Sequence, residues 1–364
     1  MTADLGRPTI VSLVGARPQF VKVAPIHHEL QKRGLQHHIV HSGQHYDDRL
    51  SKSFFDDLHI PVPSVNLEAG SGDHAEQTAR IIERLDKALE QLRPDIVIVY
   101  GDTNTTLAGA VVVSKRSEYL VHVEAGLRSF NRQMPEETNR IVADHLSHLL
   151  LAPTTAAMKI LEVEGLASRS RQVGDVMVDV LRNTANTVSK QPPTMPAGWA
   201  ESTDYVFATL HRAENTDDPT RLRKLIDRLG AMHHDVRLAA HPRLTARMSE
   251  FNISATGGLS LWQPLSYPQT VHAIVKSVAV ITDSGGLQKE AALLGCPCIT
   301  ARHETEWVET VHAGWNLLDP DLNASLGEWI RRPRAPLSEG MFGNGHAARN
   351  IVDEILGGWG RHRD

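Results

Sequence analysis

The chain has 364 residues, of which 41% are hydrophobic and 22% are charged, and its formal net charge at pH 7 is −5. A chain of this length is too long for one compact core, and we therefore predict two domains of ordinary size. The net charge is small and negative, and the chain has no basic cluster. Its charge therefore gives no reason to expect nucleic acid as a partner.

The first half of the chain alternates between apolar runs and helical patterns, which predicts a doubly wound α/β fold. The clearest run, Ile-Val-Ile-Val-Tyr at 96–100, is typical of a strand that a parallel sheet buries on both faces. The predicted strands cover 9–14, 39–40, 96–100 and 119–123, and the predicted helices cover 20–30, 75–92 and 105–114.

The alternation restarts after a Pro/Gly-rich stretch at 190–198, which is the best candidate for a domain boundary. The predicted strands are 205–210, 236–240, 278–282 and 298–300, and the predicted helices include 220–229 and 267–275. We therefore predict two Rossmann-like domains, over 1–190 and 199–345. The tail, 346–364, is predicted to form a helix that could pack back on the N-terminal domain.

One stretch combines a strand, a glycine turn and a helix. The apolar run at 278–282 leads into Ser284-Gly285-Gly286, and Glu290 lies just inside the helix that follows. Glycines let a ligand approach the backbone closely, and a helix N-terminus offers free N–H groups to an anion. The stretch predicts a phosphate site with a carboxylate for a ribose; alternatively, it is an ordinary strand-to-helix turn.

Unusual polar residues follow the predicted strands of both halves. Ligands of open parallel sheets bind beyond the carboxyl ends of the strands. Singly, Asp102 could cap a helix and His211 could be a buried structural histidine. Together they predict an active site in the cleft between two facing sheets, lined by Arg17, Asp102, Glu124, His211, His241, Ser284 and Arg302.

No cofactor or metal motif competes with this interpretation. The chain has no Gly-x-Gly-x-x-Gly dinucleotide motif and no phosphate loop that ends in Gly-Lys-Ser/Thr, so we predict no cofactor. The side chains of two residues adjacent in sequence point in different directions. We therefore expect the histidine pairs to lie at the surface rather than to bind a metal ion. These pairs are His27-His28, His37-His38 and His233-His234.

The two cysteines give a weak indication of the cellular compartment. Cys296 and Cys298 flank Pro297, too close for an easy disulfide and too few for a zinc site. The first residues carry no apolar core of the kind that a signal peptide has, and no apolar run approaches the length of a membrane span. We expect a cytoplasmic protein without a membrane partner.

The polar segments also carry a family pattern in order along the chain. The chain resembles the non-hydrolysing UDP-N-acetylglucosamine 2-epimerases, whose two Rossmann-like domains face each other as in the B-type glycosyltransferases. The resemblance runs from about residue 10 to about residue 318. The matching segments are Gly15-Ala-Arg-Pro18, Gly43-Gln-His45, Gly101-Asp-Thr103, His122-Val-Glu-Ala-Gly-Leu-Arg128, Pro135-Glu-Glu-Thr-Asn-Arg140, His211-Arg-Ala-Glu-Asn215, Thr282-Asp-Ser-Gly-Gly286 and Arg302-His-Glu-Thr-Glu306.

The resemblance implies a UDP-sugar as substrate, with its contacts in both domains. Ser284, Gly285 and Gly286 would hold the diphosphate and Glu290 the ribose. Further substrate-binding residues implied by the family are Arg17, Lys22, Arg140 and Arg302. Gln44 and His45 match a segment that contacts a second, regulatory nucleotide-sugar in some members, and a homodimer is expected from the family alone.

The resemblance also implies acid/base chemistry without NAD or metal. The family eliminates UDP across C1–C2 to give a 2-acetamidoglucal, then adds UDP back with the opposite configuration at C2, which converts UDP-GlcNAc to UDP-ManNAc. The implied catalytic residues are the carboxylates Asp102, Glu124 and Glu136, with His211 beside the phosphates or the sugar.

The late motif departs from the common family pattern, which leaves the sugar open. Trp307 and the loop from Phe130 to Met134, with its additional Arg132, are similar to relatives that act on modified donors such as UDP-2,3-diacetamido-2,3-dideoxyglucuronate. Three other hypotheses share the motifs: a hydrolysing 2-epimerase, a glycosyltransferase, and a catalytically silent nucleotide-sugar sensor. The three carboxylates argue against the last two.

Overall fold

The computed structural model describes residues 7–43, 55, 58–199, 204–337 and 340–363, without the side chains of Arg17 and Arg363. The chain forms two compact units. Unit 1 comprises Met1–Val180 and Glu339–Asp364, and unit 2 comprises Leu181–Ser338. Each unit contains one parallel sheet in which strands alternate with helices, so the predicted α/β fold class is confirmed.

Unit 1 is built on a seven-stranded sheet with the order β3-β2-β1-β4-β5-β6-β7. Its strands are β1 (Thr9–Val14), β2 (Gln36–His41), β3 (Val65–Asn66), β4 (Ile96–Tyr100), β5 (Tyr119–Val123), β6 (Leu149–Ala152) and β7 (Ser170–Gln172). Its helices are α1 (Arg17–Lys32), α2 (His74–Leu92), α3 (Asn104–Val113), α4 (Pro135–Leu146) and α5 (Thr155–Val163), and α6 (Val176–Lys190) begins in this unit.

Unit 2 repeats this order of strands in a six-stranded sheet, β10-β9-β8-β11-β12-β13. Its strands are β8 (Tyr205–Thr209), β9 (Asp235–Ala239), β10 (Leu259–Trp262), β11 (Ala279–Thr282), β12 (Cys298–Thr300) and β13 (Asn316–Leu318). Its helices are α7 (Ala213–Thr216), α8 (Pro219–Gly230), α9 (Pro242–Glu250), α10 (Tyr267–Lys276), α11 (Gly285–Leu293), α12 (Val308–His312) and α13 (Leu326–Arg331).

The order of strands places a switch point in each sheet, where successive connections turn to opposite sides. In unit 1 this point lies between β1 and β4, and in unit 2 between β8 and β11. All pairings that involve these strands are parallel, so their carboxyl ends share one edge of each sheet. Ligands of such sheets bind at this edge.

The last helix, α14 (Ala347–Arg363), returns to unit 1 and completes its core. Ile351, Val352 and Ile355 are fully buried in the same apolar cluster as Ile26 and Leu30 of α1. The carboxylate of Asp179 accepts hydrogen bonds from the backbone N–H groups of residues 347 and 348 and so caps the helix.

Two of the histidines predicted at the surface are in the core of unit 1. His27 and His37 are 7% and 8% exposed, and their Nδ1 atoms lie 2.8 Å apart. The surface prediction was therefore wrong for these two, because α1 packs onto the face of β2 that carries His37. Cys296 and Cys298 are both free and buried. Among the described residues, no helix has the length and apolarity to cross a membrane.

Candidate active site

Glu124 and Lys22 form an ion pair at the carboxyl edge of the unit 1 sheet. Glu124 directly follows β5, Lys22 lies on α1, and both side chains are mostly buried. The backbone of Glu124 is left-handed, with φ of 72°. Gly101 is also left-handed, and a Cβ at that position would lie 3.3 Å from Oε2 of Glu124. A glycine after β4 therefore leaves the space that the ion pair occupies.

The Lys22 ammonium is held in its charged form by neighbouring carboxylates. Burial by itself would lower the pKa of Lys22, but the charge and hydrogen bond of Glu124 outweigh it and raise that pKa. Asp102 and Asp175 act in the same direction. The pair therefore combines a fixed cation with a carboxylate that can accept a proton.

Asp102 follows β4 and is paired with Arg140 of α4. Nε and Nη2 of Arg140 donate to Oδ2 of Asp102 at 3.0 and 2.6 Å. Nη1 of the same arginine donates to buried Glu137 at 2.9 Å. Burial would raise the pKa of Glu137, but hydrogen bonds from Ser129, Phe130 and Arg140 lower it. The carboxylate of Glu137 thus holds the guanidinium of Arg140 in the orientation in which it pairs with Asp102.

Gln19 connects the loops that follow β1 and β4. Its Oε1 accepts from the backbone N–H of Gly15 at 2.6 Å, and its Nε2 donates to the carbonyl of Tyr100 at 2.7 Å. Gln19 was not among the predicted site residues, although it follows the Gly-Ala-Arg-Pro segment directly. Its buried amide therefore fixes the loop that follows β1 relative to the loop that follows β4.

In unit 2 the first turn of α11 presents open backbone. Ser284 caps the helix by accepting from the N–H of Leu287 at 3.4 Å. A Cβ on Gly286 would meet no described atom within 4 Å, and one on Gly285 would lie 3.6 Å from Glu306 and 3.9 Å from Arg302. Free N–H groups and the helix dipole at this turn suit an anion.

His211 follows β8 and is anchored to buried Asp283, which precedes the helix cap. Its backbone N–H donates to both oxygens of Asp283, at 3.1 and 3.0 Å, and its Nδ1 lies 3.1 Å from Oδ1. Arg212 and Asn215 add further N–H groups. Burial would raise the pKa of Asp283, but these donors lower it. One carboxylate thus joins the loop after β8 to the loop after β11.

Two more of the predicted ligands of unit 2 are buried and oriented. Oε1 of Glu290 accepts from the hydroxyl of Tyr267 at 3.0 Å. Arg302, 2% exposed, makes two hydrogen bonds of 3.1 Å to the carboxylate of Glu306. The Nη1 atom of Arg302 therefore faces Gly285 in a fixed direction.

Comparison with known proteins identifies the family. The family model for UDP-N-acetylglucosamine 2-epimerase matches residues 28–356. The chain belongs to this family. It is 40% identical to a UDP-N-acetylglucosamine 2-epimerase homolog of Methanococcus maripaludis over 95% of this chain and 99% of the relative. It is 38% identical, with the same coverage, to UDP-2,3-diacetamido-2,3-dideoxy-D-glucuronate 2-epimerase of Pseudomonas aeruginosa.

Solved structures share the fold. The chain is similar to UDP-GlcNAc 2-epimerase of Methanocaldococcus jannaschii, solved in complex with UDP-GlcNAc and UDP, with a TM-score of 0.88, 36% identity and coverage of 96% of this chain and 99% of that chain. A calicheamicin glycosyltransferase, at 12% identity and a TM-score of 0.53, covers 98% and 99% and shows the fold alone. The predicted likeness to the B-type glycosyltransferase fold is therefore confirmed.

The described residues show only some of the contacts between the predicted site residues. The structure brings Lys22 to Glu124 and Arg140 to Asp102, and it places Arg302 near Gly285. Glu136 is half-buried in the first turn of α4. The side chain of Arg17 and all of Gln44 and His45 lie outside the described residues. Among the side chains that are described, no group of at least three His, Cys, Asp or Glu could hold a metal ion.

Proposed function

We propose that the protein is a non-hydrolysing 2-epimerase that converts UDP-GlcNAc to UDP-ManNAc without a cofactor. The observation that carries this proposal is the pairing of Glu124 with Lys22 and of Asp102 with Arg140 at the ends of neighbouring strands. A dehydrogenase would need a nicotinamide site instead, and a transferase would not need two carboxylates beside cations. Epimerase relatives that match almost the whole chain support the same activity.

In this proposal residues 199–345 bind UDP and residues 1–190 supply the acid/base groups. Ser284, Gly285 and Gly286 hold the diphosphate, and Glu290 holds the ribose. His211, Arg302 and Arg17 balance the charge that develops on the leaving diphosphate. Such fixed donors and cations act without reorganisation when the bond breaks, which is why they accelerate the reaction.

The carboxylates of this proposal move the C2 proton. The C1–O bond breaks as a base takes the hydrogen from C2, which gives UDP and a 2-acetamidoglucal. The reverse addition forms the C1–O bond again and returns a proton to the other face of C2. Glu124, Asp102 and Glu136 are the groups that we assign to these transfers, and Lys22 and Arg140 hold the first two in position.

The first test follows C2 of the sugar by NMR in D₂O with UDP-GlcNAc as substrate. We expect UDP-ManNAc with deuterium at C2, and Glu124→Gln should lower kcat by about 10²–10⁴-fold because a proton-transfer group is lost. Glu68→Gln is the matched control, since Glu68 is also a left-handed glutamate but is exposed. Free sugar plus UDP would instead indicate a hydrolysing enzyme, and full activity of Glu124→Gln would remove that residue from the mechanism.

A modified donor is the second candidate substrate. The 38% identical relative is named for UDP-2,3-diacetamido-2,3-dideoxy-D-glucuronate. Trp307, which marks the same branch, is buried with the ammonium of Lys289 at 3.9 Å from its ring centre. If the UDP-GlcNAc assay shows no exchange while the diacetamido-uronate donor turns over, the substrate is this sugar.

Cellular location and assembly belong to the same proposal. We propose a cytoplasmic homodimer, from the cysteine pattern and the family respectively. Cell fractionation and sedimentation of the purified protein test these two points separately from catalysis.

A further inference from the structure

A buried carboxylate behind Glu124 closes the turn that carries this residue. Asp144 of α4 is fully buried. It accepts from Nδ1 of His122 at 2.7 Å, from Nη2 of Arg128 at 2.7 Å and from the backbone N–H of Gly126 at 3.1 Å. His122 precedes Glu124 in the chain and the other two donors follow it, so one side chain holds both ends of the turn.

The turn needs such support because its backbone is unfavourable. A left-handed conformation costs free energy for any residue with a Cβ, and Glu124 adopts it with φ of 72°. Gly126 is also left-handed, and a Cβ there would lie 2.6 Å from the carbonyl oxygen of Ala157. The turn therefore persists only while the surrounding contacts hold it.

The hydrogen bonds of His122 determine the protonation of its ring. Its Nε2 lies 2.8 Å from the carbonyl oxygen of Gly101, which can only accept, so this nitrogen carries a hydrogen. Its Nδ1 faces Oδ1 of Asp144. Oδ2 of the same carboxylate accepts from the Arg128 guanidinium and from the backbone N–H of Gly126, so Asp144 is paired with a fixed cation and its Oδ1 is the oxygen that accepts from His122. Both ring nitrogens then carry hydrogens.

We propose that His122, Asp144 and Arg128 are positioning residues, with His122 as a buried imidazolium that joins the Glu124 turn to the loop of Asp102. The link to that loop is the Gly101 carbonyl, since Gly101 directly precedes Asp102. Glu124 and Asp102, two of the three carboxylates of the proposed mechanism, would thus be held relative to each other through one ring. The catalytic consequence rests on the proposed function, whereas the protonation of His122 does not.

The protonation is tested on the wild-type protein by ¹⁵N NMR at pH 7.5. We expect two ring N–H protons for His122, assigned by their NOEs to the backbone around Gly101 and Gly126. Asp144→Asn should leave one ring N–H, because the amide can donate to Nδ1 while its oxygen still accepts from Gly126 and Arg128. A single ring N–H in the wild-type protein would overturn the imidazolium, and this measurement needs no variant to fold.

The positioning role is tested by kinetics on the same variant. A displacement of about 1 Å can cost about 100-fold in rate, so Asp144→Asn should lower kcat by that order while KM for UDP-GlcNAc stays within a few-fold. Glu164→Gln is the matched control, since Glu164 is the other carboxylate on Arg128 and does not contact His122. It should keep both the two ring protons and the wild-type kcat.

The outcomes separate the two proposals. Wild-type kcat in a folded Asp144→Asn protein would overturn the positioning role. An equal loss of kcat in Glu164→Gln would overturn the role of His122, because the effect would then follow from Arg128 alone. A wild-type protein without epimerase activity would overturn the proposed function, and the NMR result would still decide the state of His122.

Discussion

At the scale of single residues, the candidate site depends on two left-handed positions that follow neighbouring strands. Gly101 directly follows β4 and Glu124 directly follows β5, with φ of 61° and 72°. The first provides space and the second directs a carboxylate towards Lys22. A glycine is required at 101 for its backbone conformation and for its size, and these two requirements can be separated by mutation.

Gly101→Ala should reduce activity beyond its effect on stability. Its Cβ would lie 3.3 Å from Oε2 of Glu124 and 3.6 Å from Nζ of Lys22, so the ion pair must shift. Gly165→Ala is the control, because Gly165 has φ of 77° and no described atom within 4 Å of an added Cβ. Both variants should lose about 1–2 kcal/mol of unfolding free energy, measured in urea. Only the first should lower kcat, and equal kcat values would disprove the steric argument.

At the scale of elements, β1, β2, β4 and α1 are joined by a buried polar chain. Nδ1 of His27 lies 2.8 Å from Nδ1 of His37, and Nε2 of His37 lies 2.8 Å from Oγ of Ser12. The chain ends at the hydroxyl of Tyr100, 2.7 Å from Ser12. The contact between the two Nδ1 atoms needs one nitrogen that donates and one that accepts, so it is lost when both rings are protonated.

The stability of unit 1 should fall as the pH decreases. Burial, and then the neighbouring His27 and His38, lowers the pKa of His37 from 6.5 to about 3. The unfolded chain therefore binds the additional proton first, so the contribution of His37 is complete above pH 6.5 and is lost as the pH falls towards 3. When the unfolding free energy is measured in urea at several pH values, it should depend less steeply on pH for His37→Asn than for the wild-type protein. His38→Asn, at the half-buried neighbour on the other face of β2, should change the pH dependence much less, because burial rather than the charge of His38 is the main cause of the lowered pKa of His37.

The first turn of α11 can be tested with a pair of helical glycines. Gly286→Ala and Gly360→Ala each add a methyl group that meets no described atom within 4 Å, and each should be tolerated in its helix. If the diphosphate binds against the turn of Gly286, only Gly286→Ala should weaken UDP binding. We expect a loss of about 10-fold or more in calorimetry, since hydrogen bonds to a charged group contribute about 1.5–3 kcal/mol. Unchanged affinity would place the diphosphate elsewhere.

At the scale of the whole molecule, unit 1 is built from two separate parts of the chain. α14 contributes Ala347, Ala348, Ile351, Val352, Ile355 and Trp359 to a core whose other buried members come from the first 176 residues. The contact is close, because a Cβ on Gly358 would overlap the hydroxyl of Tyr119 and lie 3.2 Å from its Cζ. The integrity of unit 1 therefore depends on the last turns of the chain.

Gly358→Ala should destabilise unit 1 without affecting the exchange protection of unit 2. The added methyl must displace Tyr119 or the helix, which should cost about 1–3 kcal/mol. Gly357→Ala is the control, since its Cβ would meet only the far end of Arg361 at 3.6 Å. Hydrogen exchange read by mass spectrometry assigns the loss to a unit. A loss in both units, or in both variants, would contradict this account.

The sequence by itself determined the α/β class, the long central strands and the polar residues that follow them. The reason is physical: a run such as 96–100 has one stable environment, the interior of a parallel sheet, and the residue that ends such a strand must lie at its carboxyl edge. The roles of Asp102, Glu124, His211 and Ser284 stay predictions, but their positions at that edge follow from the chain alone.

Only the tertiary structure decided the partners of those residues and the edges of the sheets. β3, β7 and β13 are short and carry polar residues, so their conformation is fixed by the neighbouring strand rather than by their own pattern. Asp144, Glu137 and Gln19 lie on helices. The periodicity of apolar residues does not identify a buried polar residue on a helix. Such a carboxylate holds two segments together only when hydrogen-bond donors from distant parts of the sequence surround it, and this happens only in the folded chain.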